Sequence, residues 1–186
     1  MGVLSAHAQD ASPDRCVEPA AQYHGVNPQI LRAILMVESR LNPGVVSRNS
    51  NGSIDVGIAG INSIHFKELA KHGIGHNQLL DACVSTYVAA WKVRKKTERW
   101  GNTWYGVAAY HSETPYFNQR YQVLLHNQLV KSGTILGRTM PVPPLKRPAS
   151  AASASTPTTA VSARPAAIAN QPGVTRVTAT RNSNPS

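Results

Sequence analysis

The sequence predicts a mainly α-helical (α+β) domain with one small β-hairpin, followed by a disordered C-terminal tail. Three observations predict it. Helix starts and stops punctuate the chain, from Asn27-Pro28 to Asn42-Pro43 and from Thr114-Pro115 to Gly133. A hairpin turn is signalled by Asn51-Gly52. Every aromatic residue falls between Tyr23 and Tyr121, so the rest cannot build a core. Of the 186 residues, 41% are hydrophobic, enough for one modest domain. No apolar run approaches the ~20 residues a bilayer demands, which excludes a helical membrane span. The Leu, Ile, Val, Tyr and Trp of the front part argue against a disordered chain there.

The elements follow in order. Residues 14–24 predict a short helix stopped by Gly25. Asn27 then offers a cap and Pro28 a first helical position, a strong helix start. That helix is predicted to run to about Arg40, where Asn42-Pro43 stops it. Its apolar stripe is Leu31, Ile34 and Leu35, and the next position on the same face is Glu38. A carboxyl group thus stands where the core should be. Asn51-Gly52 marks a tight turn, followed by an extended piece from Ser53 to Ile58. A helical pattern resumes over Ser63–Lys71. The longest helix is predicted over Gln78–Arg99, with Leu80, Val84, Tyr87 and Trp91 as its buried stripe. One more helix spans Trp104–Tyr110, and the last carries Phe117, Tyr121, Leu124 and Leu125 before Gly133.

The ends divide the chain. Ala6-His7-Ala8 before Gln9 has the small-x-small form of a signal-peptidase site, so residues 1–8 are read as the remnant of an export signal. Residues 9–137 are the folded domain. Residues 138–186 form a basic Pro/Ala/Ser/Thr-rich tail with six basic residues and no acidic one, while the first 137 hold 13 basic and 9 acidic residues. Cys16 and Cys83 would be paired in an exported domain and free thiols in a cytosolic one. Neither has a companion at zinc-ligand spacing, so no metal site is expected.

Glu38 is the candidate for chemistry. Burial against apolar neighbours disfavours the anion, so its carboxyl can remain protonated near neutral pH and act as a general acid. Glycosidic bonds need such an acid because an alkoxide leaves poorly. Asp55, at the hairpin, supplies a second carboxylate in a more polar setting, the pairing expected of glycoside cleavage.

Three ordered motifs carry a resemblance: ILMVESRLNP, NSNGSIDVGIAGINSIHF and GVAAYHSETP. Together they are similar to the lysozyme-like superfamily and its transglycosylase SLT-domain proteins. Within it they most resemble the single-domain lytic transglycosylases of secretion, invasion and conjugal-transfer systems. The resemblance covers about Cys16 to Gly133. It implies a lysozyme-like fold, a periplasmic or secreted location, and peptidoglycan glycan strands as substrate, cut without a cofactor. It implies Glu38 as the catalytic acid, with Ser39, Ser47, Asn62, Tyr110 and His111 on the substrate side. Asn62 is equally readable as a closure of the hairpin, and Ser39 as a residue that orients Glu38. A disulfide between Cys16 and Cys83 fits the family's arrangement. Two departures stand out. Ala59-Gly60 replaces a pair ending in glutamine, whose side chain lines the sugar groove, which bears on affinity and activity. Tyr110-His111-Ser112 replaces the commoner Tyr-Asn-Ala and resembles the conjugal-transfer branch.

The resemblance implies cleavage between N-acetylmuramic acid and N-acetylglucosamine with formation of a 1,6-anhydro ring. If Asp55 acted as nucleophile or ion stabiliser, water would finish the reaction and the activity would be that of a muramidase. A non-catalytic peptidoglycan-binding assembly protein is the third reading. Nucleic acid is not an expected partner despite the +10 charge, because no nucleic-acid motif is present and the aromatics do not interleave with the basic residues. A monomer is expected, with the tail as a docking element for a secretion or conjugation machine. Lys92, Arg94, Lys95, Lys96 and Arg99 read as a solvated helix face. Trp91, Trp100 and Trp104 read as core or groove wall, and His72 with His76 lacks the continuous helix that would align two ligands.

Overall fold

A computed structural model describes residues 12–146, a mostly helical arrangement around a three-stranded sheet. The export-signal remnant expected at 1–8 and the tail beyond residue 146 lie outside the described residues. Helix α1 spans Val17–His24 and is closed by Gly25 in the left-handed conformation. Helix α2 spans Pro28–Ser39, and the Asn27 side chain accepts hydrogen bonds from the Gln29 and Ile30 amides, as its sequence predicts. Strands β1 (Val46–Arg48), β2 (Ile54–Val56) and β3 (Ile61–Asn62) form an antiparallel sheet in the order β1-β2-β3. The expected hairpin is therefore extended by a third short strand. A 3-10 turn at Ser63–His65 leads into α3 (Phe66–Ala70), and a second at Gln78–Leu80, where the longest helix was expected to begin, precedes α4 (Ala82–Trp100), α5 (Trp104–Ala108) and α6 (Pro115–Lys131).

Helix α4 packs against α1 and α5, and α2 packs against α6. Leu31, Ile34 and Leu35 of α2 are fully buried, as their stripe predicts. The stripe predicted for α4 is rotated from the observed one. Ser85, Val88, Ala89, Lys92 and Val93 face inward, while Val84, Tyr87 and Trp91 are half-buried. The latter three line an apolar groove of about 680 Å³ with Tyr23 and His24. Large side chains suggested the wrong face, because the small residues of α4 are what let it approach its neighbours closely. Trp100 and Trp104 are 38% and 44% exposed and belong to no core.

Two bonds tie α4 to its neighbours, one to α1 and one to the sheet. Cys16 and Cys83 form a disulfide that ties the start of α1 to α4, with a Cα–Cα separation of 5.2 Å. The turn between β2 and β3 is held on α4, where the Ala59 amide donates to the buried Ser85 hydroxyl at 3.3 Å. Gly57 is required in that turn: its φ is +78°, and a Cβ there would lie 2.0 Å from the Leu79 carbonyl oxygen.

Residues 138–146, placed in the tail by composition, run back along α6. The Met140 amide donates to Asn127 Oδ1 at 2.7 Å and the Asn127 amide returns a bond to the Met140 carbonyl at 2.8 Å. Arg120 donates to the Pro143 carbonyl and Tyr116 to that of Pro144. Side chains of α6 substitute here for the backbone partners that a proline-rich segment cannot provide for itself. Among the described residues, no helix is long and apolar enough to cross a membrane.

Candidate active site

Glu38 occupies the last turn of α2, and its side chain is 17% exposed. The chain leaves the helix through Arg40 and Leu41, both in left-handed backbone at φ 56° and 62°. Such conformations cost non-glycine residues roughly 1–2 kcal/mol each, so the exit beside Glu38 must be held from outside. Ser39 holds it. Its hydroxyl donates to the Ile58 carbonyl at 2.7 Å and accepts from the Asn42 amide at 3.1 Å, pinning the helix end to the β2–β3 turn.

The carboxyl itself is gripped from α6. Tyr121, which is 1% exposed, donates its hydroxyl to Glu38 Oε1 at 2.5 Å. His111, on the connection between α5 and α6, stacks on the Tyr121 ring with centroids 4.7 Å apart, and its Nδ1 lies 4.0 Å from Glu38 Oε1. Gly60 closes the other side. Its φ is +55°, and a Cβ there would come within 2.9 Å of Glu38 Oε2. The glycine thus lets backbone press directly against the carboxyl, a role that its sequence alone did not reveal.

Burial dominates the electrostatics and pushes the Glu38 carboxyl up to about 7. The Tyr121 hydrogen bond and the positive charge of Lys92 work against burial, while the negative charge of Asp55 adds to it. Burial holds the His111 imidazole below its ordinary value, helped by Arg120 and Lys92, so its contact with Glu38 near neutral pH is not an ion pair. His65 is lowered to about 4, first by burial and then by Lys92. A carboxyl that keeps its proton near neutrality, at a site still open to solvent, can donate that proton and take one back.

Asp55 lies on β2, opposite Ser47 of β1 and Asn62 of β3. Both of its carboxylate oxygens are engaged: Asn62 donates to Oδ1 at 2.7 Å and Asn49 donates to Oδ2 at 2.8 Å. Asn62 also caps the turn after β3 by accepting from the Ile64 amide. Ser47 is exposed on the edge strand. Tyr110, on the connection after α5, is buried at 6% exposure and donates to the Ala59 carbonyl at 2.6 Å, fastening that connection to the β2–β3 turn. The sequence-predicted residues therefore converge, with Glu38, Asp55, Tyr110 and His111 coupled in one site and Ser39 and Asn62 as its ties.

Sequence reasoning missed three members. Tyr121 stands in the sequence with Phe117, Leu124 and Leu125 on the last helix, and its hydroxyl carries no sequence signal. Gly60 read only as a lost side chain. Lys92 is a correction: it is 7% exposed and not part of the solvated face formed by Arg94, Lys95, Lys96 and Arg99. Its spacing of four from Val88 and three from Ala89 places it on the inward stripe, and this was the signal that could have found it. Among the described residues no group of three or more His, Cys, Asp or Glu is placed to hold a metal ion.

Comparison with known proteins matches residues 15–119 to the family described as "Transglycosylase SLT domain". Over 100 residues the chain is 37% identical to Invasion protein IagB of Salmonella typhimurium, covering 53% of this chain and 62% of that protein. It is 32% identical over 118 residues to X polypeptide of Escherichia coli (strain K12), covering 61% of this chain and 67% of that protein. Protein IpgF of Shigella flexneri is 33% identical over 100 residues, with 53% and 66% covered. The match thus spans less than two thirds of the length of IagB.

Proposed function

Because the chain belongs to the transglycosylase SLT domain family, we propose that it is a peptidoglycan lytic transglycosylase with Glu38 as its acid and base. The observation that carries this reading is the Glu38 carboxyl, buried, bonded by Tyr121 and raised to about 7. In the reaction, protonated Glu38 donates to the glycosidic oxygen between N-acetylmuramic acid and N-acetylglucosamine. The C1–O bond breaks as positive charge develops on the muramic ring. Glu38, now a carboxylate, takes the proton from that sugar's C6 hydroxyl, and O6 bonds to C1. The 1,6-anhydro ring closes, no water is consumed and Glu38 regains its proton. No cofactor enters the balance.

In this reading Asp55, held on both oxygens by Asn49 and Asn62, forms no bond to C1. His111 flanks the sugar beside Glu38, Ser39 positions the Glu38 helix end, and Tyr110, expected on the substrate side, is buried with its hydroxyl spent on the Ala59 carbonyl and supports the site from behind. The likeness to Invasion protein IagB supports a further part of the reading. The chain works in the periplasm, or outside the cell, opening local gaps in the wall for a secretion or conjugation apparatus.

The test is clearance of a purified peptidoglycan suspension by the wild-type chain and by Glu38→Gln. Clearance by the wild type, reduced at least about a hundredfold in the variant, supports the reading. Equal clearance by both proteins would remove Glu38 from the chemistry, and binding without clearance would favour an assembly protein.

A further inference from the structure

The turn between β2 and β3 lies against Glu38 as bare backbone, and its polar atoms are bonded elsewhere. Two successive peptide groups run there from the Ile58 carbonyl to the Gly60 amide. Ser39 of α2 donates to the Ile58 carbonyl at 2.7 Å, and the Ala59 amide donates to the Ser85 hydroxyl of α4 at 3.3 Å. Tyr110 donates to the Ala59 carbonyl at 2.6 Å, and the Gly60 amide donates to the Gly57 carbonyl at 3.1 Å. All four polar atoms are thus engaged, three of them by side chains from three separate parts of the chain. Ile58, Ala59 and Ser85 are fully buried, so water does not compete for the Ser85 bond. What Gly60 presents to Glu38 is its Cα, since a Cβ there would lie 2.9 Å from Oε2. Among the described residues, the one donor within hydrogen-bond distance of Glu38 is Tyr121, on Oε1. Oε2 accepts no bond, and the acid's proton resides there.

A buried amide that loses its acceptor must find another, and Glu38 lies against the same turn. An amide that reached Oε2, or water that entered as the turn shifted, would favour the carboxylate and take the acid's proton away. We propose that Ser85 is a positioning residue for Glu38: by fixing the Ala59 amide on α4, it keeps the β2–β3 turn from hydrogen-bonding Oε2, so that the acid keeps its proton. This rests on the function proposed above and adds a residue to it. The titratable groups that act on Glu38 from the elements around it are Tyr121 on α6, His111 on the connection before α6, Lys92 on α4 and Asp55 on β2. A substitution at Ser85 removes none of them. Thr86 supplies the control. It is the next residue of α4 and equally buried, but its hydroxyl donates to the Ala82 carbonyl of its own helix.

The experiment uses the full chain and follows the Glu38 carboxyl by nuclear magnetic resonance titration of carboxyl-labelled glutamate. Clearance of purified peptidoglycan is measured over the same pH range. The wild type should titrate at about 7. Ser85→Ala should titrate about one pH unit lower, the effect of one added donor on an anion. Its clearance should then fall about fivefold near neutral pH and recover in mild acid, where both proteins hold the proton. Thr86→Val should lower the melting temperature comparably and leave the Glu38 titration in place. Tyr110→Phe frees the Ala59 carbonyl, on the peptide that leads into Gly60, and should move Glu38 in the same direction. A Glu38 titration unmoved by folded Ser85→Ala, or moved as far by Thr86→Val, overturns the inference and leaves the function standing. If Ser85→Ala does not fold, a titration unmoved by Tyr110→Phe overturns it. A wild type that clears nothing at any pH overturns the function, while the titration still decides what Ser85 does to the carboxyl.

Discussion

Tyr121 on α6 donates a 2.5 Å hydrogen bond to Glu38 at the end of α2, across a sequence separation of 83 residues. The bond joins the two helices that pack against each other beside the sheet, and it fixes which carboxyl oxygen faces inward. It also opposes the effect of burial, since a hydroxyl donor favours the anion. Tyr121→Phe is therefore expected to move Glu38 further above about 7, so that activity persists to higher pH than in the wild type. Its maximum should fall roughly ten- to a hundredfold, because the carboxyl loses its anchor. A pH–rate profile of both proteins checks the two effects together.

The raised Glu38 makes stability fall with pH. Below its ordinary value of 4.5 the carboxyl is protonated in both folded and unfolded chains. Between 4.5 and about 7 only the unfolded chain gives up its proton, and above about 7 the loss is complete. The full effect is at most about 3 kcal/mol. Glu38→Gln carries no titrating proton and keeps an acceptor for Tyr121. It should match the wild type below 4.5 and exceed it in stability above about 7, as denaturant melts across that range would show.

Much of the fold and the centre of the site were legible in the sequence, for reasons that are local. Asn27-Pro28 and Thr114-Pro115 set helix starts by backbone chemistry, and Leu31, Ile34, Leu35 and Glu38 share a face because of helical period alone. What stayed hidden is non-local. The Tyr121 hydroxyl meets Glu38 only once α2 and α6 pack. The inward turn of Lys92 depends on the rotation of α4, which small residues set and large ones misrepresented. The pairing of Asn127 with Met140 involves a segment whose composition carries no packing signal.

Gly60 predicts a variant with separable effects. Gly60→Ala forces a side chain into left-handed backbone and brings its methyl against Glu38 Oε2. Gly52 shares the backbone problem, at φ +84°, but a Cβ there meets nothing within 4 Å. Both alanine variants should lose about 1–2 kcal/mol of stability. Gly60→Ala alone should lower kcat, by tenfold or so, as the carboxyl is displaced. Comparing kcat with melting temperature for the pair checks this.

The segment along α6 predicts where the chain can be shortened. Ending it after Lys146 keeps the bonds of Met140, Pro143 and Pro144 with α6 and should leave melting unchanged. Ending it after Gly137 strips the partners from Asn127, which is 8% exposed, and should cost about 1–3 kcal/mol. Thermal melts of the two truncations against the full chain distinguish them.

The central claim is that Glu38 both gives and takes the proton, so that the muramic C6 hydroxyl, not water, attacks C1. Mass spectrometry of the muropeptides that the wild-type chain releases from purified peptidoglycan tests it most directly. The account predicts 1,6-anhydromuropeptides, lighter by one water than reducing-end products, and none from Glu38→Gln. Hydrated, reducing-end products from the wild type would contradict it and move the chemistry to a muramidase.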